Sequence, residues 1–276
     1  MIAHNLAICI PNKGCNKNCP YCVSRMTGYI DSDFELMKKQ MKKVIKISEM
    51  SGVTSILMTG KGEPFLGIPE LEFILKGFNE FVIEIQTNGI WLNNNLDYIK
   101  ELSKQGLNLA AFSLDRIEQF EEYSDMFSQV KANGMIVRVT LNITDMLPEN
   151  LTFKECIELC KKNNVDQFSI RNIVIPNNIS NDTKGSRETV DWIKTHVPEN
   201  FYNRLVQELE TEVKASGFLL RSLPYGAKVY DYQGVSVTYF DYCVQDSNTG
   251  DDIRSLIFQE NGHLYTNWNS KASILF

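Results

Sequence analysis

Short apolar runs alternate with longer amphipathic segments over the first 175 residues of the chain. Each run has the length of a strand and is apolar at most positions, which is typical of strands covered on both faces. The intervening segments carry apolar residues at helical spacing, and one of them stops at Gly52, a residue type that often ends helices. The predicted strands are Leu6–Ile10, Ser55–Thr59, Phe81–Thr87, Leu109–Leu114, Ile136–Asn142 and Gln167–Ile175.

The order of these elements predicts the fold class. Strands that alternate with helices at spacings of roughly 25–30 residues form parallel sheets joined by right-handed crossovers. The six units found here are fewer than the eight that close a full barrel. We therefore predict an α/β protein built as a partial (β/α)6 TIM-like barrel. Functional side chains are expected at the carboxyl ends of its strands, which share one face.

The pattern changes after residue 176. The polar loop "PNNISNDTKGS" is followed by two helical segments and then by several short apolar runs. Asn261-Gly262, between two of these runs, is a strong signal for a β-hairpin. We predict a core domain over residues 1–176 and a small α+β extension over residues 177–276, which we expect to cover the substrate.

Composition narrows the range of partners and locations. The formal net charge is −6 and the isoelectric point is about 5.3, which does not favour nucleic acid or an anionic membrane as a partner. The first residues lack the pattern of a signal peptide, and no apolar run reaches the length of a membrane-spanning helix. A cytoplasmic protein without membrane association is the expectation. The seven cysteines, an odd number, favour reduced thiols over a disulfide framework.

Three of the cysteines are concentrated in "GCNKNCPYC", where Cys15, Cys19 and Cys22 form the pattern C-x3-C-x2-C. That spacing would also suit one face of a helix, but Pro20 and the neighbouring Gly and Asn residues are poor helix formers. The segment is therefore predicted to be a loop that can turn three thiolates toward one point. Three thiolates are one fewer than the four usual ligands of an iron–sulfur cluster and would leave one iron open.

Zinc is an alternative metal for the same loop. Cys19-x2-Cys22 has a zinc-like spacing, and Cys156-x3-Cys160 could supply a second pair of thiols. This arrangement leaves Cys15 unused, and the second pair lies over 130 residues away, in an amphipathic segment where buried cysteines are common. A non-catalytic iron–sulfur or zinc-binding interaction protein stays open as the alternative function.

The cysteine pattern, with Tyr21 directly before its last member, resembles the signature C-x3-C-x-aromatic-C of the radical S-adenosylmethionine (radical SAM) superfamily. The resemblance implies a 4Fe–4S cluster bound by Cys15, Cys19 and Cys22. It also implies S-adenosylmethionine (SAM) as a second cofactor, whose methionyl amine and carboxylate chelate the fourth iron.

Two later segments resemble further motifs of the family. "TGKGEPFL" follows the second predicted strand and is similar to the GGE motif, with Gly60, Gly62 and Glu63 at its matching positions. The resemblance implies that Glu63 accepts a hydrogen bond from the SAM ammonium group. A tight turn with an exposed Glu is the alternative. "QTNG" ends the third strand, where Asn88 matches a Thr-Asn-Gly motif and is a candidate for contacting the cofactor.

The next three strands supply the remaining candidates. "FSLD" resembles the family's S-x-D motif, so Ser113 is a candidate for the SAM ribose or carboxylate and Asp115 for holding that loop or contacting the substrate. On the fifth strand, Arg138 matches a basic residue whose planar fork would bind the SAM carboxylate. An ordinary charged residue at a strand start is the alternative for Arg138. On the sixth strand, the backbone around Ile170 would contact adenine, and the two residues after it would face the cavity.

The family resemblance implies an enzyme that cleaves SAM reductively to a 5′-deoxyadenosyl radical, which abstracts a hydrogen atom from its substrate. The implied partners are a small-molecule, nucleotide or peptide substrate and a low-potential electron donor of the flavodoxin or ferredoxin type. Cys243 could donate a hydrogen atom to a substrate radical, as in epimerase-like relatives, but a buried structural cysteine is the preferred interpretation. The sequence leaves the reaction that follows hydrogen abstraction open, including peptide modification and epimerisation.

Overall fold

The structure, a computed structural model, describes residues 1–177, 179, 184–223, 226–240, 252–268 and 270–276. Its strands are β1 (Ala3–Cys9), β2 (Ser55–Thr59), β3 (Val82–Thr87), β4 (Leu107–Leu114), β5 (Ile136–Ile143), β6 (Gln167–Asn172), β7 (Phe218–Ser222), β8 (Lys228–Tyr232), β9 (Val235–Phe240), β10 (Ile253–Phe258) and β11 (Leu264–Tyr265). The six strands predicted in the core correspond to β1–β6, and their bounds differ from the prediction by at most three residues.

The helices are α1 (Val23–Thr27), α2 (Phe34–Met50), α3 (Ile68–Gly77), α4 (Ile90–Asn93), α5 (Tyr98–Lys104), α6 (Gln119–Glu122), α7 (Ser124–Ala132), α8 (Phe153–Lys162), α9 (Lys184–His196) and α10 (Glu199–Ser216). Local side chains fix where two of them begin. The Asp33 side chain accepts a hydrogen bond from Leu36 N at the start of α2, and Thr152 and Glu155 form a reciprocal capping box at the start of α8. Within the described ranges, none of the helices combines the length and the apolar character that spanning a lipid bilayer requires.

The described strands form one sheet in the order β11-β10-β1-β2-β3-β4-β5-β6-β9-β8-β7, which is not closed into a barrel. From β10 through β1–β6 to β9, every neighbouring pair is parallel. At the two edges, β11 pairs antiparallel with β10, and β7 and β8 continue the sheet antiparallel from β9. The predicted α/β fold with a partial, open barrel is confirmed.

The parallel part of the sheet is larger than the six strands predicted from the core. Two strands from beyond residue 177 extend it: β10 pairs with β1, and β9 pairs with β6. The apolar runs of both strands were predicted, but they were placed in a separate extension. Strand patterning reveals which face of a strand is buried, and it carries no information about which edge the strand joins. The predicted hairpin joins β10 to β11, and Gly262 in its turn has a φ of +80°.

One hydrophobic core connects the early and late parts of the described chain. Leu6 on β1, Phe112 on β4, Leu209 on α10 and Leu256 on β10 are all fully buried and belong to a single cluster of contacting side chains. The sheet is therefore a rigid support whose parallel strands end at one common edge. The loops at that edge carry the segments that the sequence singled out.

Candidate functional site

The three cysteines of the predicted signature lie in the loop between β1 and α1. Gly14 begins this cysteine loop (residues 14–22) with a φ of +95°, a backbone conformation that favours glycine. Its other end leads directly into α1, because Cys22 is the N-cap residue, and Cys22 N donates a hydrogen bond to Cys19 O at 3.3 Å. All three thiols are free, with Cys15 exposed and Cys19 and Cys22 partly buried. The predicted loop conformation of this segment is confirmed.

The segment after β2 packs directly against the cysteine loop. Glu63 N donates a hydrogen bond to Gly14 O at 2.9 Å. A Cβ atom on Gly62 would lie 2.2 Å from Gly14 O and 2.3 Å from Asn12 Oδ1, which is closer than real Cβ contacts come. Glycine is therefore required at position 62 for the two backbones to approach each other.

The Glu63 carboxylate is buried and ties this segment to the end of β3. Its Oε1 accepts hydrogen bonds from Thr87 Oγ1 at 2.7 Å and from Phe65 N at 3.3 Å, and its Oε2 accepts one from Asn88 N at 2.9 Å. Burial raises the pKa of Glu63, while these three hydrogen bonds oppose the shift. The alternative of an exposed glutamate in a simple turn is wrong, since Glu63 is only 5% exposed.

Asn88 brings the end of β3 against the first cysteine. Its Nδ2 donates a hydrogen bond to Asn16 Oδ1 at 2.8 Å and lies 3.7 Å from Cys15 Sγ, within hydrogen-bonding distance for sulfur. Its Oδ1 accepts a hydrogen bond from Ile90 N at 2.9 Å, which fixes the orientation of the amide. An amide donor so close to a thiol is suited to a contact with a cluster sulfur ligand.

Asp115, at the end of β4, holds the central part of the cysteine loop. Its Oδ2 accepts a hydrogen bond from Tyr21 Oη at 2.9 Å and forms an ion pair with Lys17 Nζ at 3.0 Å. Its backbone N donates to Gln119 Oε1 at 2.9 Å, which anchors the aspartate from behind. Because Lys17 and Tyr21 flank Cys19, one buried carboxylate restrains both sides of that cysteine.

Burial changes the pKa values of two of the loop thiols, Cys15 and Cys19. It raises the pKa of Cys15, and it raises the pKa of Cys19 to about 11. Cys22 contributes to both shifts and Cys15 contributes to that of Cys19, which means that the three sulfur atoms lie within electrostatic range of one another. Cys15 and Cys19 are therefore neutral near pH 7 without metal, and metal binding has to release their protons.

The donor set fits an iron–sulfur cluster by its chemistry. Three reduced thiols in one loop, with the Asn88 amide beside them, match the ligand type of such clusters. In the part of the chain that the structure describes, no three Cys, His, Asp or Glu side chains stand close enough together to form a ready metal site. The agreement of this loop with an iron–sulfur cluster therefore rests on which donor atoms it carries and on their shared location in one loop.

A cavity of about 360 Å³ opens beside the cysteine loop at the carboxyl ends of the parallel strands. Six of the predicted site residues line it: Cys19, Tyr21, Cys22, Gly60, Asn88 and Ser113. Arg171 and Asn172, the two residues expected to face the cavity, also line it. The lining also includes residues that are not among the predicted site residues: Lys61, Gln86, Asn142 and Trp268. Asn142 is the last residue of the quoted fifth strand, a position that could have suggested it.

Other predicted site residues lie behind the cavity wall. Cys15, Gly62, Glu63 and Asp115 contact the loop or its supports, as described above, and none of them lines the cavity. Ile170 is fully buried in β6, and the cavity is instead lined by the residues just after it. The expected role of its backbone toward adenine stays a prediction.

The structure does not bring Arg138 to the cavity. Its guanidinium donates to Glu84 Oε2 at 2.6 Å and to Gln167 Oε1 at 2.8 Å, near the amino ends of the strands. Asn142 is the β5 residue that lines the cavity, and it lies four residues further along the strand, about 13 Å at the usual rise. Arg138 acts in an ion pair across the sheet, and this geometry lends no support to the predicted contact with the SAM carboxylate.

The cysteines outside the loop are separate from the cavity, with one exception. Cys156 and Cys160 are fully buried in α8, and burial raises the pKa of Cys156 to about 12. They are core side chains, as the interpretation of a buried amphipathic face expected. Cys9 on β1 is buried but lines the cavity. Cys243, the candidate hydrogen donor, falls outside the described residues.

Comparison with known sequences identifies relatives of the core. Residues 9–189 match the family model described as "Radical SAM superfamily". A "GTP 3′,8-cyclase" from Clostridium perfringens is 30% identical over 147 residues, which are 51% of this chain and 42% of the cyclase. A "7-carboxy-7-deazaguanine synthase" from Clostridium acetobutylicum is 35% identical over 96 residues, which are 34% of this chain and 42% of the synthase. The chain spans less than half the length of these curated relatives.

Solved structures show the same fold at low sequence identity. SuiB from Streptococcus suis superimposes with a TM-score of 0.61 at 13% identity, covering 97% of this chain and 60% of SuiB. The structure titled "Native anSMEcpe with bound AdoMet" superimposes with a TM-score of 0.54 at 16% identity, covering 96% of this chain and 74% of that protein. The family model spans the cysteine loop and all the strand ends that carry the quoted motifs, and it matches well over half of the chain. The chain therefore belongs to the radical SAM superfamily.

Proposed function

We propose that the chain is a radical SAM enzyme that binds a 4Fe–4S cluster through Cys15, Cys19 and Cys22 and binds SAM in the adjoining cavity. When bound, the cluster and SAM together supply a 5′-deoxyadenosyl radical, which abstracts a hydrogen atom from the substrate. The chain itself holds both cofactors, positions the substrate and keeps water out of the cavity. A cytoplasmic location is part of this proposal.

The observation that carries the proposal is the convergence of three separate strand ends on the cysteine loop. Gly62 after β2 contacts the backbone at Gly14, Asn88 after β3 reaches Cys15, and Asp115 after β4 binds Lys17 and Tyr21. A structural cysteine cluster would not need such support from the catalytic edge of a parallel sheet. Preorganised support of this kind is what a reactive centre requires.

The SAM-binding part of the proposal rests on the side chains that line the cavity beyond the loop. Ser113 on β4 and Asn142 on β5 are polar and face the cavity, and Asn142 Nδ2 is fixed by donating to Leu114 O at 3.1 Å. Gly60 brings only backbone atoms to the cavity wall, and a Cβ atom there would lie 3.2 Å from Ile10 O. Ser113, Asn142 and Gly60 are proposed to contact SAM, while Glu63 keeps the wall in place from behind.

Residues 177–276 are proposed to form an extension that covers the substrate. In support, Trp192 of α9 packs on Tyr21 of the cysteine loop with ring centroids 5.7 Å apart, and Trp268 lines the cavity. The relatives matched by sequence cover at most 57% of this chain. The proposed substrate is a small molecule, nucleotide or peptide, and the proposed electron donor is a flavodoxin or ferredoxin.

The test is anaerobic reconstitution with iron and sulfide, followed by addition of SAM and dithionite and detection of 5′-deoxyadenosine by mass spectrometry. The product is expected from the wild type and from Cys160→Ala, a control that removes a buried thiol outside the loop. Cys19→Ala should lose the cluster, whereas Glu63→Ala should keep iron but bind SAM more weakly.

Other outcomes would favour the alternative function. A protein that takes up zinc, binds no SAM and forms no 5′-deoxyadenosine would be a metal-binding interaction protein. A protein with an intact cluster and measurable SAM affinity, but without product, would be an enzyme whose SAM cleavage waits for its substrate. Equal SAM cleavage by Cys19→Ala and the wild type would refute the assignment of the cluster ligands.

A further inference from the structure

The charged side chains that line the cavity are all cationic among the described residues. They are Lys17, Lys61 and Arg171, and no Asp or Glu of the described ranges joins them in the lining. Lys17 is neutralised by its ion pair with Asp115 at 3.0 Å. The chain as a whole carries a net charge of −6, so this positive lining is a local feature and not a consequence of composition.

Lys61 is the cation whose position is least explained by the surrounding protein. It is partly buried, and its Nζ donates a hydrogen bond to the neutral hydroxyl Thr27 Oγ1 at 2.7 Å. Within the described chain it forms no ion pair with a carboxylate. Burial lowers the pKa of Lys61, which means that its ammonium group is incompletely compensated where it stands.

Glu260, the buried acid whose charge acts on Lys61, forms no ion pair with it in the described structure. Glu260 lies within electrostatic range of Lys61, but its Oε2 is occupied by hydrogen bonds from Asn12 N and Ser32 Oγ, each at 2.8 Å, and its buried Oε1 has no hydrogen-bond partner among the described residues, Lys61 included. Through these two hydrogen bonds, the Glu260 carboxylate links the segment after β1 to the segment before α2. A half-buried ammonium group with only a hydroxyl contact is costly unless an anion binds it.

Lys61 directly follows Gly60, which lines the cavity with backbone atoms only, but it lies apart from Ser113 and Asn142, the two side chains proposed to contact SAM. It follows β2 and shares the lining with Cys9 of β1, and with Trp268 after β11. Asn142, by contrast, is on β5, three strands away from β2 in the sheet order, which corresponds to about 14 Å at the usual strand spacing. The cavity lining therefore extends from a wall formed by β1, β2 and the segment after β11, past the end of β3 and the cysteine loop, to a wall formed by β4–β6.

We propose that Lys61 anchors an anionic group, a phosphate or a carboxylate, of the substrate against the wall formed by β1, β2 and Trp268. This proposal rests on the proposed function, because it takes the cavity to be the active site. It narrows the substrate to an anionic molecule and makes Lys61 a binding residue. The indole of Trp268 offers the apolar part of the substrate a flat surface beside the anion.

The first experiment measures protection of Lys61 in the reconstituted wild-type chain. Amine acetylation is followed residue by residue with mass spectrometry, in the presence of GTP, guanosine, citrate or SAM. GTP tests for a phosphate anchor, citrate tests for a carboxylate anchor, and guanosine is the uncharged control. Lys76, an exposed lysine outside the cavity, is the internal reference.

We expect GTP or citrate to slow acetylation of Lys61 at least fivefold, with Lys76 unaffected and guanosine without effect. Protection by only one of the two anions assigns the anchor to phosphate or to carboxylate. Protection by neither, or equal protection by guanosine, would overturn the proposal. If SAM were the only compound that protects Lys61, this residue would belong to the SAM site, and the proposal would again be overturned.

The second experiment compares Lys61→Met with Lys61→Arg by calorimetric titration of the anion that protects. Lys61→Met should weaken binding about tenfold or more, since it removes a charge-assisted contact, while Lys61→Arg should keep binding within a few-fold of the wild type. Similar affinities for all three proteins would refute the anchor. Neither experiment needs SAM cleavage. Protection of Lys61 in a protein that forms no 5′-deoxyadenosine would therefore support the anion site and at the same time contradict the proposed radical activity.

Discussion

At the residue scale, Gly62 packs tightly against the backbone that precedes the first cysteine. No side chain fits there, because a Cβ atom would lie 2.2 Å from Gly14 O. The hydrogen bond from Glu63 N to the same carbonyl oxygen at 2.9 Å depends on this approach. The glycine of the motif is thus explained by contact with the cysteine loop, independently of any bound cofactor.

Gly62→Ala is expected to destabilise the fold by about 1–3 kcal/mol, because the added methyl group forces two backbone segments apart. It should also lower the iron bound per chain after reconstitution, since the displaced segment supports the cysteine loop. Urea unfolding and iron analysis measure the two effects. Gly185→Ala is the matched control: a Cβ at Gly185 meets nothing within 4 Å, and this change should be neutral or slightly stabilising.

Glu63 gives the molecule a specific pH dependence. Burial raises the pKa of its carboxyl group above the ordinary value of 4.5, so the folded state holds this proton more tightly than the unfolded state does. Below that ordinary value the proton is bound in both states. As the pH rises from there through the raised pKa, the unfolded chain loses the proton first, and the free energy of unfolding falls.

We predict that Glu63→Gln reduces the loss of unfolding free energy that accompanies a rise in pH. Free energies of unfolding, measured for both proteins in urea from pH 4 to pH 8, should decline less steeply with pH in the variant. Exposed carboxylates titrate equally in both proteins, so the difference between the two curves isolates Glu63. Parallel curves would mean that the carboxyl group is not perturbed in the folded state.

At the element scale, the cysteine loop has no regular secondary structure and takes its position from its neighbours. The side chain of Asp115, at the end of β4, binds Lys17 and Tyr21 on either side of Cys19. The Asp115 and Lys17 side chains are 8% and 17% exposed, so water screens their interaction only weakly. Local sequence cannot encode this arrangement, because the partners are separated by more than 90 residues.

Asp115→Asn is expected to loosen the loop. The amide oxygen can still accept the hydrogen bond from Tyr21, but the ion pair with Lys17 is lost and a buried ammonium group stays behind. A double-mutant cycle with Lys17→Met should give a coupling energy of about 1–3 kcal/mol. The electron paramagnetic resonance spectrum of the reduced cluster should broaden in Asp115→Asn.

Glu122→Gln is the control, because Glu122 pairs with Arg116 at the exposed surface. It should change stability by less than about 1 kcal/mol. A coupling energy near zero between Asp115 and Lys17, with an unchanged cluster spectrum, would show that Asp115 does not position the loop.

At the scale of the whole molecule, the late strands complete the sheet that the early strands begin. β10 pairs with β1 and β9 pairs with β6, so both edges of the six-strand core are covered by later parts of the chain. Leu256 of β10 and Leu6 of β1 are fully buried in the same core. The division of the chain at residue 176 stays a prediction that unfolding can test.

We expect a single cooperative unfolding transition. Leu256→Ala should lower the free energy of unfolding by about 2–5 kcal/mol, as expected for a large side chain removed from a close-packed core. Circular dichroism and tryptophan fluorescence should report the same midpoint, although the mutation lies in the last part of the chain. Two separate transitions, with only the later one affected, would support an independent extension.

Sequence patterns predicted much of the site, because the motif residues lie at strand ends and parallel strands share a carboxyl edge. As this reasoning expects, Asn88 and Ser113 line the cavity. Glu63 and Asp115 do not line it, but they bind the segments that do. Arg138 shows the limit of this reasoning. The strand that carries Arg138 was predicted, but Arg138 lies near the amino end of that strand. It therefore pairs with Glu84, away from the cavity.

The sequence by itself determined the cysteine loop, the order of strands and helices in the core, and the family, because each depends on residues that are close together in the chain. Tertiary structure alone decided that β9 and β10 join the two edges of the core sheet. It also decided that Lys61 and Trp268, more than 200 residues apart, line one cavity. The physical reason is that pairing between distant strands and the sharing of a cavity wall depend on packing over the whole core, to which local hydrophobic periodicity is blind.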